Sequence, residues 1–437
     1  MAQQIYEERC IERLDYGNFL NIIIRGNIRG KDLIRFCNSC NKLYQFSNKE
    51  LILQNGQVLD QHLFRLLLKE SNVKLFPGQN PKEVYKRWVI GGKVWGFGCN
   101  AFGNLGSDDL TDHLTPILIP NLDNIVNISA GRDHSLVLDN RGRVWSFGAN
   151  GTYQLGFNTN STVKIPTLIP SLENILAIKA GECNSLVLDN QGMVWTFGYN
   201  EYGQLGLGDT EDKLIPSSRL YDIVAITTGT NHTLALDNKR RVWSFGHNQQ
   251  GQLGLGDREP RLIPTLIPNL ENIIAVGAGA FHSLALDDKG RVWGFGSNQS
   301  GQLGLGDIVN KSLPTLIPNL NNIIAISVGG NHSLVLDNRG RVWSFGANGA
   351  YQLGLGNNSL VNIPTLILNL ENIVAISAGC THSLILDNQG RVWAFGDNEN
   401  GQLGLGDKEN RFIPILIPNL KGVVAISAGT GHSLILK

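Results

Sequence analysis

Six histidines recur at matching places in the 437-residue chain, His134, His232, His282, His332, His382 and His432, with Asn184 where a seventh is due. Imidazole binds metals and moves protons, so six copies would be a chemical resource if they converged. Their spacing speaks against convergence. No H-x-x-x-H or other paired ligand spacing occurs, and radial repetition would put each ring in a unit of its own. Asn184 fits a hydrogen-bonding role better than ligation, so the expectation is a buried, satisfied structural histidine.

Other residues invite chemistry and then lose their case. GQLGLGD has the glycines of a phosphate cradle, but an apolar, proline-containing strand follows it instead of a helix, and no Gly-Lys-Ser/Thr completes it. Its glycines are expected to let the chain turn tightly beside a neighbour. Cys37 and Cys40 form a single C-x-x-C without a second pair or nearby histidines, a poor zinc site whose thiols pack as small apolar groups. Basic residues stand at six of seven equivalent turns, Lys93, Arg143, Arg241, Arg291, Arg341 and Arg391, with Met193 as the exception. They form a candidate rim for an acidic partner. Asp139, Asp237, Asp287, Asp337 and Asp387 lie four residues earlier, however, and cross-strand pairing would largely neutralise that rim. Asp189 faces Met193, and Lys93 has no such partner in its own hairpin. No Ser/His/Asp, Cys/His or carboxylate constellation stands out, so neither an enzyme nor a cofactor or metal site is expected.

Composition narrows the field further. Lys plus Arg and Asp plus Glu each number 37; the first 90 residues carry 14 basic against 9 acidic, and the remainder 23 against 28. A mildly acidic larger part makes nucleic acid an unlikely ligand. No apolar run reaches the roughly 18–20 residues of a membrane helix. The opening MAQQIYEERC carries charges where a signal peptide is apolar, and six cysteines make no disulfide framework. An intracellular protein, cytoplasmic or nuclear, not secreted and monomeric, is expected.

The elements that position these residues come from a repeat. Trp95, Trp145, Trp195, Trp243, Trp293, Trp343 and Trp393 each sit in V-W-x-F-G, at spacings of 50 residues save for one of 48 across SSRLYDIVAI. Each period reads as strand, glycine-rich loop, proline-bearing edge strand, and two further strands. Seven four-stranded sheets arranged radially bury one another's faces, giving a mainly β fold: a seven-bladed β-propeller over 91–437 with a small N-terminal α-helical domain. The tryptophans are expected to anchor the packing between blades. The strand Lys93–Gly98 must complete its blade with strands from Val423–Leu436, latching the ring. Gly142, Gly192, Gly290, Gly340 and Gly390 fall where a short hairpin needs positive φ, and Arg240 at that place should strain the turn or change its type.

The set G-x-x-H-S-L-x-L-D, G-R-V-W-x-F-G-x-N, G-Q-L-G-L-G-D and I-P resembles the regulator of chromosome condensation repeat family across residues 91–437. Kelch repeats share the period but carry an internal Gly-Gly pair absent from this repeat position, and the W-D pair of WD repeats is also absent. The resemblance implies a seven-bladed propeller. It also implies two activities of the family's founding member, guanine-nucleotide exchange on a small GTPase and docking on nucleosomes. Those activities rest on loops that depart from the repeat, including an inserted wedge, whereas no repeat here carries an insertion.

The first ninety residues change pattern. QVLDQHLFRLLLKES, GNFLNIIIRG and KDLIRFCNSCNKLYQF (31–46) read as helices, and Asn80-Pro81 opens a last one. Residues 1–75 form the helical part and 76–90 a linker and helix. The spacing of Leu20, Ile24, Leu33, Ile34 and Leu43 is similar to an F-box without its opening Leu-Pro, implying adaptor-binding helices of a ubiquitin ligase. The function expected is a non-enzymatic protein-binding scaffold, in its specific form a substrate-recognition subunit for ubiquitination. The alternatives are a guanine-nucleotide exchange factor and a chromatin-associated binding protein.

Overall fold

The computed structural model describes residues 91–437 and, in a separate unit, two short strands, Tyr44–Ser47 and Glu50–Leu53, paired antiparallel with Tyr44 opposite Leu53. That hairpin takes over the end of the helix expected across 31–46: Tyr44, Gln45 and Phe46 are strand, as suits aromatic residues next to a polar turn. Leu20, Ile24, Leu33, Ile34, Leu43, Cys37 and Cys40 lie outside the described residues.

Residues 91–437 form seven four-stranded antiparallel sheets. In blade one the order is Ile125–Ala130, His134–Asp139, Val144–Gly148, Val163–Leu168, here termed inner, second, third and outer strands. Blades two to six repeat this order from inner strands that begin at Ile175, Ile223, Ile273, Ile323 and Ile373. Neighbouring inner strands touch around a closed ring, which places them at the axis. Blade seven joins both ends of the ring: Ala425–Ala428 and His432–Leu436 supply its inner half, Val94–Gly98 and His113–Leu118 its outer half. Trp95 pairs with Ile435, and Lys93 and Lys437 exchange backbone bonds of 2.8 and 2.9 Å, so the latch expected from the sequence is formed.

Burial follows from layering. Every second strand is buried along its whole length because a blade lies on each side of it. The proline of each outer strand (Pro116, Pro166, Pro216, Pro264, Pro314, Pro364, Pro414) stands at the sheet edge, where its missing N–H blunts the addition of another strand. The packing anchor differs from the one expected. The tryptophans are only half-buried, while Phe97, Phe147, Phe197, Phe245, Phe295, Phe345 and Phe395, two residues further on, are fully enclosed. An indole N–H needs an acceptor and stays near the rim; the phenyl ring needs none and fills the space between blades.

The glycine-rich loops do what their composition suggested. A Cβ on Gly404 would lie 2.9 Å from the Phe97 ring, and the equivalent glycine of each other blade meets the next blade's phenylalanine in the same way. The hairpins Asp-Asn-x-Gly, and Asp-Asp-x-Gly at Gly290, have their glycines at φ between 73° and 84°. Arg240 keeps the same turn, with its N–H bonded to the Asp237 carbonyl at 3.0 Å, and takes φ 63°, so strain is accepted instead of a new turn.

Two alanine substitutions separate backbone handedness from packing. Gly404→Ala (φ 68°) is expected to cost about 2–4 kcal/mol, combining left-handed strain with overpacking against Phe97. Gly422→Ala (φ 73°) faces open space and should lose only about 1–2 kcal/mol, read from denaturant midpoints.

Candidate functional site at the loop face

The repeated histidines are the clasps between blades. His134 Nε2 meets Ser185 Oγ of the next blade at 2.9 Å, and His232–Ser283, His282–Ser333, His332–Ser383, His382–Ser433 and His432–Ser135 repeat the contact at 2.9–3.0 Å. Each serine hydroxyl donates in turn to a backbone carbonyl, as Ser283 does to Gln252 at 2.8 Å. Its oxygen therefore accepts from the imidazole, which fixes the proton on Nε2. Nδ1 is left buried without a partner in all six, so the histidines are enclosed as expected but only half satisfied. Burial pushes their pKa down to about 3, and they are neutral. Among the described residues no group of three His, Cys, Asp or Glu side chains converges to hold a metal.

The two faces of the wheel differ. One carries the hairpins with the basic rim. There Arg143, Arg241, Arg291, Arg341 and Arg391 donate through Nε to the preceding Asp at 2.6–2.8 Å. Each guanidinium also lies 5.6–6.0 Å from the centre of its blade's indole ring. Burial disfavours ionisation of Asp237, Asp287 and Asp337, yet backbone N–H groups and the guanidinium outweigh it and lower their pKa. Lys93 pairs with Asp123, and in blade two Trp195 Nε1 donates to Asp189 at 3.0 Å where Met193 replaces arginine. The six basic residues share one face, each paired with an aspartate while its side chain stays partly exposed.

The opposite face holds the short loops between inner and second strands and the long loops between third and outer strands. A repeated asparagine ties each long loop: Asn298 Oδ1 accepts from Leu303 N at 2.9 Å while its amide donates to Asp307. On this stapled frame an aromatic chain crosses three blades. Ring centres are 6.4 Å apart for Tyr199 and Tyr202, 4.9 Å for Tyr202 and His247, and 6.0 Å for His247 and Phe281, all edge to face. Phe281 is 36% exposed, so the chain surfaces at its far end. Cys99, Cys183 and Cys380 are free, half-buried thiols on the same face, and burial raises their pKa. None of these seven residues stood out while the repeat was read for what recurs. Departure from their own repeat columns is the signal that marks them: the places equivalent to Phe281 hold Asp133, Cys183, Asn231, Asn331, Thr381 and Gly431.

Comparisons with known proteins agree with this architecture. The RCC1-like domain model matches residues 213–435, and models of the Regulator of chromosome condensation (RCC1) repeat match 91–138, 141–188, 125–154 and 175–204. Among solved structures, human WBSCR16 superimposes with a TM-score of 0.73 at 24% identity, covering 79% of this chain and 98% of that one. Prp20p of Saccharomyces cerevisiae, described with its binding to Gsp1p and histones, gives 0.73 at 24% over 81% of this chain and 94% of its own. Yeast RCC1 (Prp20) bound to Kap60 gives 0.73 at 23% over 79% and 88%. These likenesses establish the fold. No curated protein sequence matches the chain.

The clasps make stability pH-dependent. A folded-state value of about 3 lies below the ordinary 6.5, so on acidification the unfolded chain takes up protons first. Stability is fully present above about pH 6.5 and falls toward pH 3 by about 1.4 kcal/mol per pH unit for each histidine. Six together should unfold the propeller between roughly pH 6 and 4. His282→Asn, imitating Asn184, should reduce the proton uptake on unfolding by one, measured as the slope of stability against pH.

Proposed function

The chain belongs to the RCC1-like domain family, and on that premise we propose that it is a protein-binding platform whose loop face is the docking surface. One observation carries the reading: the aromatic chain Tyr199–Tyr202–His247–Phe281 spans blades two to four on the loop face, where Phe102, Ile308 and Val309 are also exposed. Rigid aromatic side chains give large contact area at low entropic cost and dominate binding hot spots. The hairpin face offers less, since its arginines are already paired. The yeast propeller's binding to Gsp1p and histones, and its complex with Kap60, support a protein partner in general.

A second reading is guanine-nucleotide exchange on a small GTPase, favoured by family membership and by the shared fold of Prp20p. The loops from third to outer strands have one length in all seven blades, so no inserted wedge is present among the described residues to open a nucleotide site. On this second reading the aromatic chain is the proposed contact for the GTPase. The adaptor-binding role of Leu20, Ile24, Leu33, Ile34 and Leu43 remains a proposal about residues 1–75, as does the docking on chromatin that the family resemblance implies.

Partners captured by the full chain and identified by mass spectrometry should depend on the loop face. Phe281→Ala and Tyr202→Ala are expected to weaken capture by about 30-fold, the size of a 2 kcal/mol hot spot, while Arg291→Gln and Arg341→Gln leave it unchanged. The opposite pattern would move the docking surface to the hairpin face. Faster release of labelled GDP from a GTPase panel, lost in Phe281→Ala, would establish exchange. Loss of a ligase adaptor on removal of residues 1–75 would establish the recognition-subunit form.

A further inference from the structure

Three kinds of polar contact recur at the junctions between blades, and all three fail at one of them. Six junctions carry the His–Ser clasp; between blades two and three Asn184 instead donates to Thr228 Oγ1 at 3.1 Å. Six carry a backbone bond between neighbouring channel-mouth loops, such as Arg132 N to Gly181 O at 3.1 Å; none links Glu182 to Gly229. Four carry an inner-strand serine that accepts the next blade's N–H, as Ser129 does from Ala180 at 2.9 Å. In blade two that serine's place is taken by Lys179, and Thr228 N donates no such bond.

Lys179 is the only charged residue at this inner-strand position, where the other blades hold Ser129, Thr227, Gly277, Ser327, Ser377 and Ser427. Its side chain is exposed to solvent although its strand belongs to the inner ring, which is the situation of a group projecting into the axial channel. Gly181 at the loop-face mouth is two positions further on, a rise of about 7 Å. Among the described residues its ammonium has no ion pair or hydrogen bond. The two carboxylates of the loops between inner and second strands are engaged elsewhere: Glu182 is held by Arg132 Nη1 at 2.7 Å, and Asp133 by Arg132 Nε at 3.2 Å. Burial lowers the ammonium's pKa, with no carboxylate acting against it. A cation in a channel without a counterion attracts anions, because the surrounding protein focuses its field.

We propose that Lys179 is an anion-binding site at the mouth of the channel, taking a phosphate or carboxylate group that enters from the loop face beside the junction of blades two and three. The group can belong to a free ion or to an acidic side chain of a bound protein, and the site stands whether or not the docking surface proposed above does.

Trace acetylation of the full chain with acetic anhydride, followed by peptide mass spectrometry, tests this with Lys408 and Lys421 as internal references. Millimolar inorganic phosphate, or a hexaglutamate peptide, should slow the labelling of Lys179 by about threefold or more relative to the references. Protection by phosphate alone assigns a free anion, and protection by the peptide alone an acidic protein segment. Lys179→Ser, which restores the residue of four other blades, should melt higher in phosphate-free buffer and lose the rise in melting temperature that phosphate gives the parent chain. Equal labelling with and without both probes, or an unchanged phosphate response in Lys179→Ser, would overturn the proposal.

Discussion

A sheet that is apolar on both faces has to be covered on both, and that requirement governs the molecule. No blade can meet it alone and no open row can meet it at its ends; a closed ring meets it everywhere. The enclosed phenylalanines, the glycines flattened against them and the buried second strands are local consequences of closure. The His–Ser clasps add direction: they fix how neighbouring blades are rotated, with a neutral ring that tolerates burial as an ion would not. Burying six imidazoles with one nitrogen unpaired costs free energy, and the structure carries that cost at every junction but one.

Much of this was legible in the sequence because it repeats. The V-W-x-F-G spacing gave the number of blades, the prolines identified outer strands, and the mismatch in phase between first and last segments required a blade shared by both ends. The exchange of roles between tryptophan and phenylalanine was harder to read, since both are large and apolar on one face of the strand. Only the demand of the indole N–H for Asp189 or Asp237 near the rim separates them. The pairing of the five rim arginines is legible because Asp and Arg four residues apart face each other across a short hairpin whatever the ring does, whereas the Lys93–Asp123 pair needs the assembled ring.

What stayed hidden depends on neighbourhood around the ring. Tyr202 and Phe281 come from different blades, and only the assembled wheel brings His247 between them. Lys179 was visible as a letter in a serine column but could not be seen to face a channel until the inner strands were placed. In a chain of near-identical units the recurring residues build the frame, and the departures from it are where function is to be sought. Three such departures, Lys179, Asn184 and the shortened connector before Ile223, meet at one junction.

Each clasp runs from the imidazole of one blade to the hydroxyl of the following one, never in reverse. Joints of this head-to-tail kind are those by which separate subunits assemble into cyclic oligomers. The wheel is in effect a fused heptamer, whose covalent links between blades add proximity but do not define the joints. Its topology therefore admits circular permutation, and the sparsely bonded junction beside Asn184 is where new termini would disturb the fewest bonds.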